Sequence, residues 1–463
     1  MPSPPTITSP AGPGNVPAEV AAAPGAHYPR RRGAVVSARL ILLLYIAIYY
    51  IAPAILTALF GAPLNELLIA PPNYVAGAIF CAVVMGATYY AIGRLRMPRM
   101  MFLRPLGRAL FNARTLFAFS LVFLLLSVYF WQQFGLAYRQ TGSRIGDSGS
   151  AIILLYIFQN YVLTALVMML VFDRARLREG YLFMSGALLC ILIGSVLSVQ
   201  ASSNVVSLAA ALVIAIRLWI NGNFLRHESS TRTSVLGTYV LFAFAAAGAL
   251  FVGIANKRGV DMTIYLFFND FGEIIRVFQT RLSYHYYSAS FHTTFNLTNV
   301  DLSFRALDEV ATNIQHRIDV LLGKPTTFNE ITSIKRLNYE QIAYYFRERT
   351  GTAPGMVGSV FFYPFGIFLL PLVVPFFAAI IRAVAEVAGS RRLSLVELAF
   401  IMLFVGGILD SSIDLFNPFD TPFTKLFFVL CAYALIDPTV SERRAQDRFL
   451  RKYSAQATAG AGA

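Results

Sequence analysis

The chain has 463 residues, of which 57% are hydrophobic and only 13% are charged, a composition typical of a protein built to span a membrane. Its 38 basic residues outnumber 24 acidic ones, which gives a formal net charge of +14 at pH 7. This charge is spread over short stretches between apolar runs, so it does not indicate a nucleic-acid-binding protein. The 3 cysteines lie inside apolar runs, which excludes a disulfide framework or cysteine metal cluster.

The chain begins with residues 1–33, a stretch rich in Pro, Ala and Gly that predicts a disordered cytoplasmic tail. The apolar run that follows begins too late, and is too long, for a cleaved signal peptide. About ten runs are long enough to cross a membrane, because a span takes about 20 mostly apolar residues. They lie at 36–59, 74–93, 115–134, 150–172, 181–199, 203–220, 235–254, 359–381, 394–413 and 422–436. The last run is short and contains Lys425, so nine or eleven spans remain alternatives.

The Lys and Arg residues set the orientation, because short loops rich in them stay in the cytoplasm. With ten spans, most of the basic residues fall on one side, together with both termini. The sequence thus predicts an all-α, multi-pass membrane protein with cytoplasmic termini. Its parts are a membrane domain of seven spans (34–255), an outer loop domain (256–357), a membrane domain of three spans (358–437) and a basic tail (438–463).

The outer loop domain is a polar insert between two apolar runs, which a simple membrane anchor does not need. It carries 11 basic and 10 acidic residues. Helices are predicted over 304–322 and 331–346, and a helix at the lipid interface over 264–278. The apolar face of the first is formed by Leu307, Val310, Ile314, Ile318 and Leu321.

An aromatic cluster follows the interfacial helix and comprises Tyr284, His285, Tyr286, Tyr287, Phe291 and His292. Aromatic rings have flat apolar faces with polar rims, which suit stacking on sugar rings. A belt of aromatic residues at the membrane surface is an equally good interpretation.

The end of the insert combines two arginines with a helix break. Arg347 and Arg349 precede Ala353-Pro354-Gly355, and the next apolar run is predicted to begin a helix near residue 359. A helix start favours anions, and arginine favours phosphate. This pattern predicts an outward-facing phosphate or diphosphate site. The alternative is arginines that reach for lipid headgroups beside an ordinary helix start.

The architecture and this motif together resemble a known family. Many spans, cytoplasmic termini and one large outer loop that ends in Ala353-Pro354-Gly355-Met356-Val357-Gly358 look like the Wzy-type polymerases of O-antigen and exopolysaccharide repeat units. Those enzymes carry an Arg and a Gly separated by ten residues in functional outer loops, and Arg347 and Gly358 have that spacing. The resemblance implies a protein of the bacterial inner membrane whose outer loop is periplasmic.

The resemblance also implies the reaction. Such polymerases join oligosaccharide units carried on undecaprenyl diphosphate, as the hydroxyl of one unit attacks the anomeric carbon of the lipid-linked chain. No cofactor is expected, and the expected partners are the lipid-linked substrate, membrane lipid, a flippase and a chain-length regulator. The candidate catalytic residues are Arg347, Arg349, Arg281, His285 and Glu348, with His292 and His316 as further candidate bases. The candidate substrate-binding residues are Arg276, Tyr284, Tyr286, Tyr287, His292, Pro354, Gly355 and Gly358.

Three further interpretations stay open. Asp410 and Asp414 lie four residues apart near the outer end of a span, which allows a cation site there, although no metal is assigned. An O-antigen ligase also uses a large outer loop with arginines and a lipid-diphosphate donor. A flippase for lipid-linked oligosaccharides, or a nonenzymatic membrane partner that uses the insert for docking, remains the third.

Overall fold

The computed structural model describes most of the apolar runs and most of the insert. The described ranges are 29–60, 72–98, 100–134, 150–169, 181–197, 259–324, 334–342, 355–363, 366–388, 395–410 and 415–436, with short stretches between 208 and 255. Every regular element in these ranges is helical, which confirms the all-α class. The predicted spans 203–220 and 235–254 lie largely outside them.

The helices follow the chain in order. They are α1 (Pro29–Ile46), α2 (Ala52–Phe60), α3 (Tyr74–Arg94), α4 (Arg104–Leu110), α5 (Ala113–Phe134), α6 (Ser150–Met169), α7 (Tyr181–Leu197), α8 (Val260–Asn269), α9 (Phe271–Phe295), α10 (Val300–Leu321), α11 (Ile334–Ile342), α12 (Leu370–Ala388), α13 (Leu395–Leu409) and α14 (Thr421–Ala434). A π-helical turn, Ala47–Ile51, joins α1 to α2. Short 3-10 turns lie at Met101–Leu103, Gly358–Phe362 and Gly366–Leu369.

Five helical segments are long and apolar enough to cross a membrane: Gly33–Leu59, Tyr74–Arg94, Ala113–Gln133, Ala151–Met169 and Ile367–Ala388. Three shorter apolar helices, in α7, α13 and α14, have similar composition. The apolar runs thus form helices of the length that a membrane-embedded protein needs.

Two arginines fix the register of α1, α3 and α12. The Arg39 guanidinium, near the start of α1, lies 4.5 Å from the ring centroid of Tyr89 near the end of α3. Arg382 of α12 donates to the carbonyl of Ile92 at 3.0 Å and to that of Leu95 at 2.5 Å. These bonds satisfy carbonyls at the C-terminal end of α3, which its own helix leaves without partners. Arg39 and Arg382 therefore both lie at the C-terminal end of α3, which itself ends at Arg94.

A second group of helices packs beside the first. Helix α5 lies against α6 and α7, and α6 lies against α14. Polar bonds join them inside the apolar contacts: Asn160 donates to Thr424 at 2.6 Å, and the Tyr161 hydroxyl donates to the carbonyl of Leu110 at 2.6 Å. Each pairing satisfies a buried donor, which is costly to leave unpaired away from water.

The insert is held to the apolar helices by α9. Helix α9 packs along α3 and the π turn, and the Tyr286 hydroxyl donates to the carbonyl of Tyr74 at 2.8 Å. Residues 355–363 pack on the other side of α9. Helix α10 covers them, and its Ser303 hydroxyl donates to the carbonyl of Phe361 at 3.1 Å. The insert is therefore packed against the apolar helices on both sides of α9.

The structure corrects three expectations. The interfacial helix predicted over 264–278 is two helices, because Asp270 ends α8 and its carboxylate caps α9 by accepting from the Glu273 amide at 3.1 Å. The aromatic cluster therefore lies within α9, not after a helix. The predicted helix over 304–322 is confirmed as α10, but Ile318 and Leu321 are exposed and its buried face runs through positions 302, 306 and 310.

The third correction concerns the run at 359–381. It does not begin an α-helix at 359: Gly358–Phe362 form a buried 3-10 turn, and α12 begins only at Leu370. The rings of Phe361 and Phe362 are enclosed by α9 and other parts of the protein, so the first residues of this run form a buried turn, and the segment long enough to cross a membrane begins later, at Ile367. No helix start therefore lies at Gly358, and the expected anion site loses that part of its basis.

Candidate functional site

Helix α9 carries the aromatic cluster, and residues 283–292 of it are buried without interruption. A helix with polar and aromatic residues on all sides needs partners on all sides. It has them in α3, the π turn, α11 and residues 355–362. The sequence from Ser283 to His292 combines serines with aromatic rings for this reason. The small side chains face the backbones of neighbouring segments, and the rings fill the space between the helices.

His285 lies at the centre of the site. Only 3% of its side chain is exposed, and its Nε2 atom is 3.4 Å from Oδ1 of Asp410, at the end of α13. Neither ring nitrogen of His285 has a hydrogen-bond partner among the described residues. Most buried polar atoms are hydrogen-bonded, so an imidazole with two unpaired nitrogens marks a site for a ligand or a reaction.

Three tyrosines surround the His285 ring. Tyr49 stacks on it, with 4.2 Å between centroids and 30° between planes. Tyr45 and Tyr50 meet its edges at 6.1 Å and 6.3 Å. All three come from the end of α1 and the π turn Ala47–Ile51. Single π turns inside α-helices are frequent at functional sites.

Asp410 is held by contacts other than His285. Its Oδ1 atom accepts from the Tyr45 hydroxyl at 2.5 Å, a short hydrogen bond. Its backbone carbonyl accepts from the Gly355 amide at 3.0 Å. The Asp410 side chain is 14% exposed. A carboxylate so placed is fixed beside the imidazole, and its environment is mostly ring faces and apolar helix.

The end of the insert lies against the backbone of His285. A methyl group added at Gly355 would lie 3.5 Å from the Cα atom of His285, which is ordinary contact. The Val357 amide donates to the Tyr50 hydroxyl at 3.3 Å. The two backbone amides of this stretch thus bond to two residues of the site, Asp410 and Tyr50, and bring the chain that follows Arg347 and Arg349 to His285.

His292, two turns further along α9, has a different environment. Its Nε2 atom is 2.8 Å from Oδ1 of Asn338, and its Nδ1 atom is 2.9 Å from Nδ2 of Asn296. Phe361 stacks on the ring and Phe362 meets its edge. Burial lowers the pKa of His292 from 6.5 to about 4, against the Asn338 bond that raises it. His292 is therefore a neutral, fully bonded residue of the core.

The predicted sugar-stacking tyrosines are also packed. Tyr284 lies in a small cluster with Tyr287, Phe291 and Ile342. Tyr286 stacks near Tyr74. Burial raises the pKa of both Tyr286 and Tyr287, so both phenols stay protonated. Tyr284, Tyr286 and Tyr287 are neighbours of His285 along α9, and their rings pack against other parts of the protein.

The predicted cations are distributed differently. Arg276 is exposed and lies 3.8 Å from Glu273 of its own helix. Its helix position is nearer the start of α9 than His285 is. The Arg281 side chain lies outside the described part of the structure, as do Arg347, Glu348, Arg349 and Pro354. Gly355 contacts the backbone of His285, and Gly358 contacts Ser288.

Sequence reasoning missed the partners of His285. The sequence suggested Asp410 and Asp414 only for a cation site. Asp414 lies outside the described residues. Among the described residues, no group of three metal-binding side chains occurs. The tyrosines Tyr45, Tyr49 and Tyr50 were not considered at all. Their signal is present: three hydroxyl groups occur within six positions of an otherwise apolar span. Polar groups there face the protein interior, since lipid offers them no partner.

The arrangement of an imidazole beside a carboxylate has a definite chemical capacity. The carboxylate orients the ring, and the other ring nitrogen can take a proton from a hydroxyl. This is the arrangement of a general base. Comparison of the chain with family models, curated proteins and solved structures finds no match.

Proposed function

We propose that this protein is a membrane glycosyltransferase that joins undecaprenyl-diphosphate-linked oligosaccharide units into an O-antigen or exopolysaccharide chain. The observation that carries the proposal is the buried His285 ring, 3.4 Å from Asp410 and without a hydrogen-bond partner among the described residues. A sugar hydroxyl is a weak nucleophile and needs such a base. The resemblance to Wzy-type polymerases supplies the substrate class.

The reaction assigns a role to each part of the site. The acceptor hydroxyl gives its proton to His285 as its oxygen bonds to the anomeric carbon of the donor. The bond between that carbon and the diphosphate breaks, and undecaprenyl diphosphate leaves with the bonding electrons. Arg347 and Arg349 bind the departing diphosphate, because their planar guanidinium groups match phosphate oxygens. Glu348 is the alternative base, and Arg281 or Arg276 supplies a second cation.

The proposed topology places this chemistry on the periplasmic face of the bacterial inner membrane. About ten spans, with both termini in the cytoplasm, put the insert 256–357 outside. His285 from the insert then meets Asp410, at the outer end of its predicted span, and Tyr45, within the first span. The diphosphate of a lipid-linked donor lies near the outer ends of the spans, so donor and base come together without the donor leaving the membrane.

An O-antigen ligase is the second candidate, because it transfers from the same donor and needs the same base. A flippase shares the pathway but breaks no bond, and it leaves the position of His285 without a role. The two transferases differ in the acceptor, which is a second lipid-linked unit for the polymerase and a lipid A core for the ligase. Their products differ in length, and a gel separates them.

The proposal is tested by glycan length in cells that lack the gene, complemented with wild type, His285→Gln, Asp410→Asn or Arg347→Ala. We expect long chains from wild type and single capped units from the three variants, since removal of a general base lowers a rate by roughly 100-fold or more. Arg305→Ala, at an exposed position of α10 in the same insert, is the control and should restore long chains. Immunoblots of membranes check that each variant accumulates.

Two outcomes contradict the proposal. If cells without the gene make no surface glycan, or accumulate complete long chains on the carrier lipid, the protein is a flippase or a ligase. If His285→Gln polymerises at the wild-type rate, His285 is not the base, and Glu348 becomes the next candidate.

A further inference from the structure

The Asp410 carboxylate uses one oxygen for two neighbours. Oδ1 accepts from the Tyr45 hydroxyl at 2.5 Å and lies 3.4 Å from Nε2 of His285. The contact between His285 and Asp410 has the distance of a weak hydrogen bond but not the alignment of one, as is common in catalytic sites without substrate. The Tyr45 bond therefore helps to fix where Oδ1 points, and the imidazole lies beside that oxygen.

The π turn explains how one helix supplies all three tyrosines. Tyr49 and Tyr50 are four and five residues after Tyr45, and in a regular α-helix adjacent residues point about 100° apart. The wider turn Ala47–Ile51 brings both rings onto the imidazole while Tyr45 reaches past it to Asp410. Stacking with Tyr49 fixes the ring plane, and Tyr45 fixes the carboxylate.

We propose that Tyr45 is a positioning residue, which holds Asp410 so that Nε2 of His285 carries its proton toward Oδ1 and Nδ1 is left to accept the proton of the substrate hydroxyl. This inference rests on the proposed function for the identity of that hydroxyl. The placement of the proton on the ring does not depend on it. The titratable groups that face His285 in the described part of the chain are Asp410 from α13 and Tyr45, Tyr49 and Tyr50.

The test is the tautomer of His285, read from ring ¹⁵N chemical shifts of the full-length protein in detergent, with His285→Gln to assign the signals. The chain has 5 histidines, so the spectrum is simple. We expect the Nε2–H form in roughly tenfold excess in wild type, as one hydrogen bond to a charged acceptor gives. Tyr45→Phe should reduce that excess to about twofold or less.

Tyr161→Phe is the matched control, because the Tyr161 hydroxyl is also part-buried but donates to the carbonyl of Leu110 and not to a residue of the site. It should leave the tautomer ratio unchanged. Asp410→Asn is a second variant that keeps the test valid if Tyr45→Phe does not fold. The new amide can donate to Nε2, so the Nδ1–H form should become the major one.

Rates on lipid-linked units extracted from cells lacking the gene complete the experiment. Tyr45→Phe should lower kcat by about tenfold with KM within about twofold of wild type, since it disturbs the base and not binding. The inference is overturned if wild type shows the Nδ1–H form, or if Tyr45→Phe keeps the wild-type tautomer ratio. Failure of the wild-type protein to polymerise, with the tautomers as expected, overturns the proposed function alone.

Discussion

Two histidines on one face of α9 show how neighbours decide what a residue does. His285 and His292 lie two turns apart, yet His292 is bonded at both nitrogens and His285 at neither among the described residues. The surroundings of His285 are consistent with a chemical role, and those of His292 with a role in packing. The sequence predicted both as site residues, because Asn338, which bonds to His292, and Asp410, which lies beside His285, are distant in sequence.

His292 makes the free energy of unfolding depend on pH. Its pKa is about 4 in the folded protein and 6.5 when unperturbed, so the unfolded chain binds the proton more tightly between these values. The neutral ring therefore stabilises the fold above pH 6.5, and that contribution is lost as the pH falls to 4. The full loss is about 3 kcal/mol from this one group.

The measurement is the unfolding midpoint of the purified protein in detergent, followed from pH 7.5 to pH 4.5, for wild type and His292→Gln. Carboxylates titrate in both proteins, so the difference between the two curves isolates His292. We expect the gap between wild type and variant to close as the pH falls. A gap that stays constant over this range contradicts the assignment of His292 as a neutral buried ring.

At the scale of elements, the small residues of α9 allow the backbones of neighbouring segments to approach it closely. A methyl group added at Gly358 would lie 2.0 Å from the Ser288 hydroxyl, and one at Gly77 would lie 2.1 Å from the Ser290 hydroxyl. Backbones on both sides of α9 therefore contact its serines. This close packing keeps residues 355–358 against His285.

Gly358→Ala should therefore destabilise the protein, by about 1–3 kcal/mol for overpacking at a buried position. Gly355→Ala is the matched control, because its added methyl group would meet only ordinary contacts at 3.5 Å. The double variant Gly358→Ala with Ser288→Gly removes the clash and should recover part of the loss. Thermal unfolding of these four proteins and of Ser288→Gly alone measures the coupling, and equal effects of the two alanines would contradict the packing described here.

The elements differ in how far sequence predicts them. Helix α3 spans Tyr74–Arg94 against a predicted 74–93, because the length of an apolar run has a physical meaning in a membrane. The run predicted at 359–381 shows the limit of this rule: Ile367–Ala388 is long and apolar enough to cross a membrane, but Phe361 and Phe362, near the start of the run, are buried in protein. An apolar run does not reveal whether lipid or protein surrounds it, so the turn over the site could not be predicted.

At the scale of the molecule, the residues divide between two ends of the helix group. Arg39 and Arg382 meet the end of α3, and α9 meets its beginning at Tyr74. His285 and Asp410 lie with α9, away from the basic end. If short loops rich in Lys and Arg stay in the cytoplasm, as the sequence predicts, the end with Arg39 and Arg382 is the cytoplasmic one. The pairing of His285 with Asp410 was beyond sequence reasoning, because it depends on how the insert folds back onto the helices.

This division predicts opposite accessibility of two exposed helical residues, Asp308 on α10 and Arg108 on α4. We expect Asp308→Cys to react with a membrane-impermeant maleimide in intact spheroplasts, and Arg108→Cys to react only after the membrane is opened. The 3 native cysteines are buried, so the parent protein provides a low background. Because the site lies on the side of α9, reaction at Arg108 from outside, or none at Asp308, would place His285 at the cytoplasmic face. A transfer between lipid-linked units at the periplasmic face would then be impossible, whatever the chemistry of the imidazole.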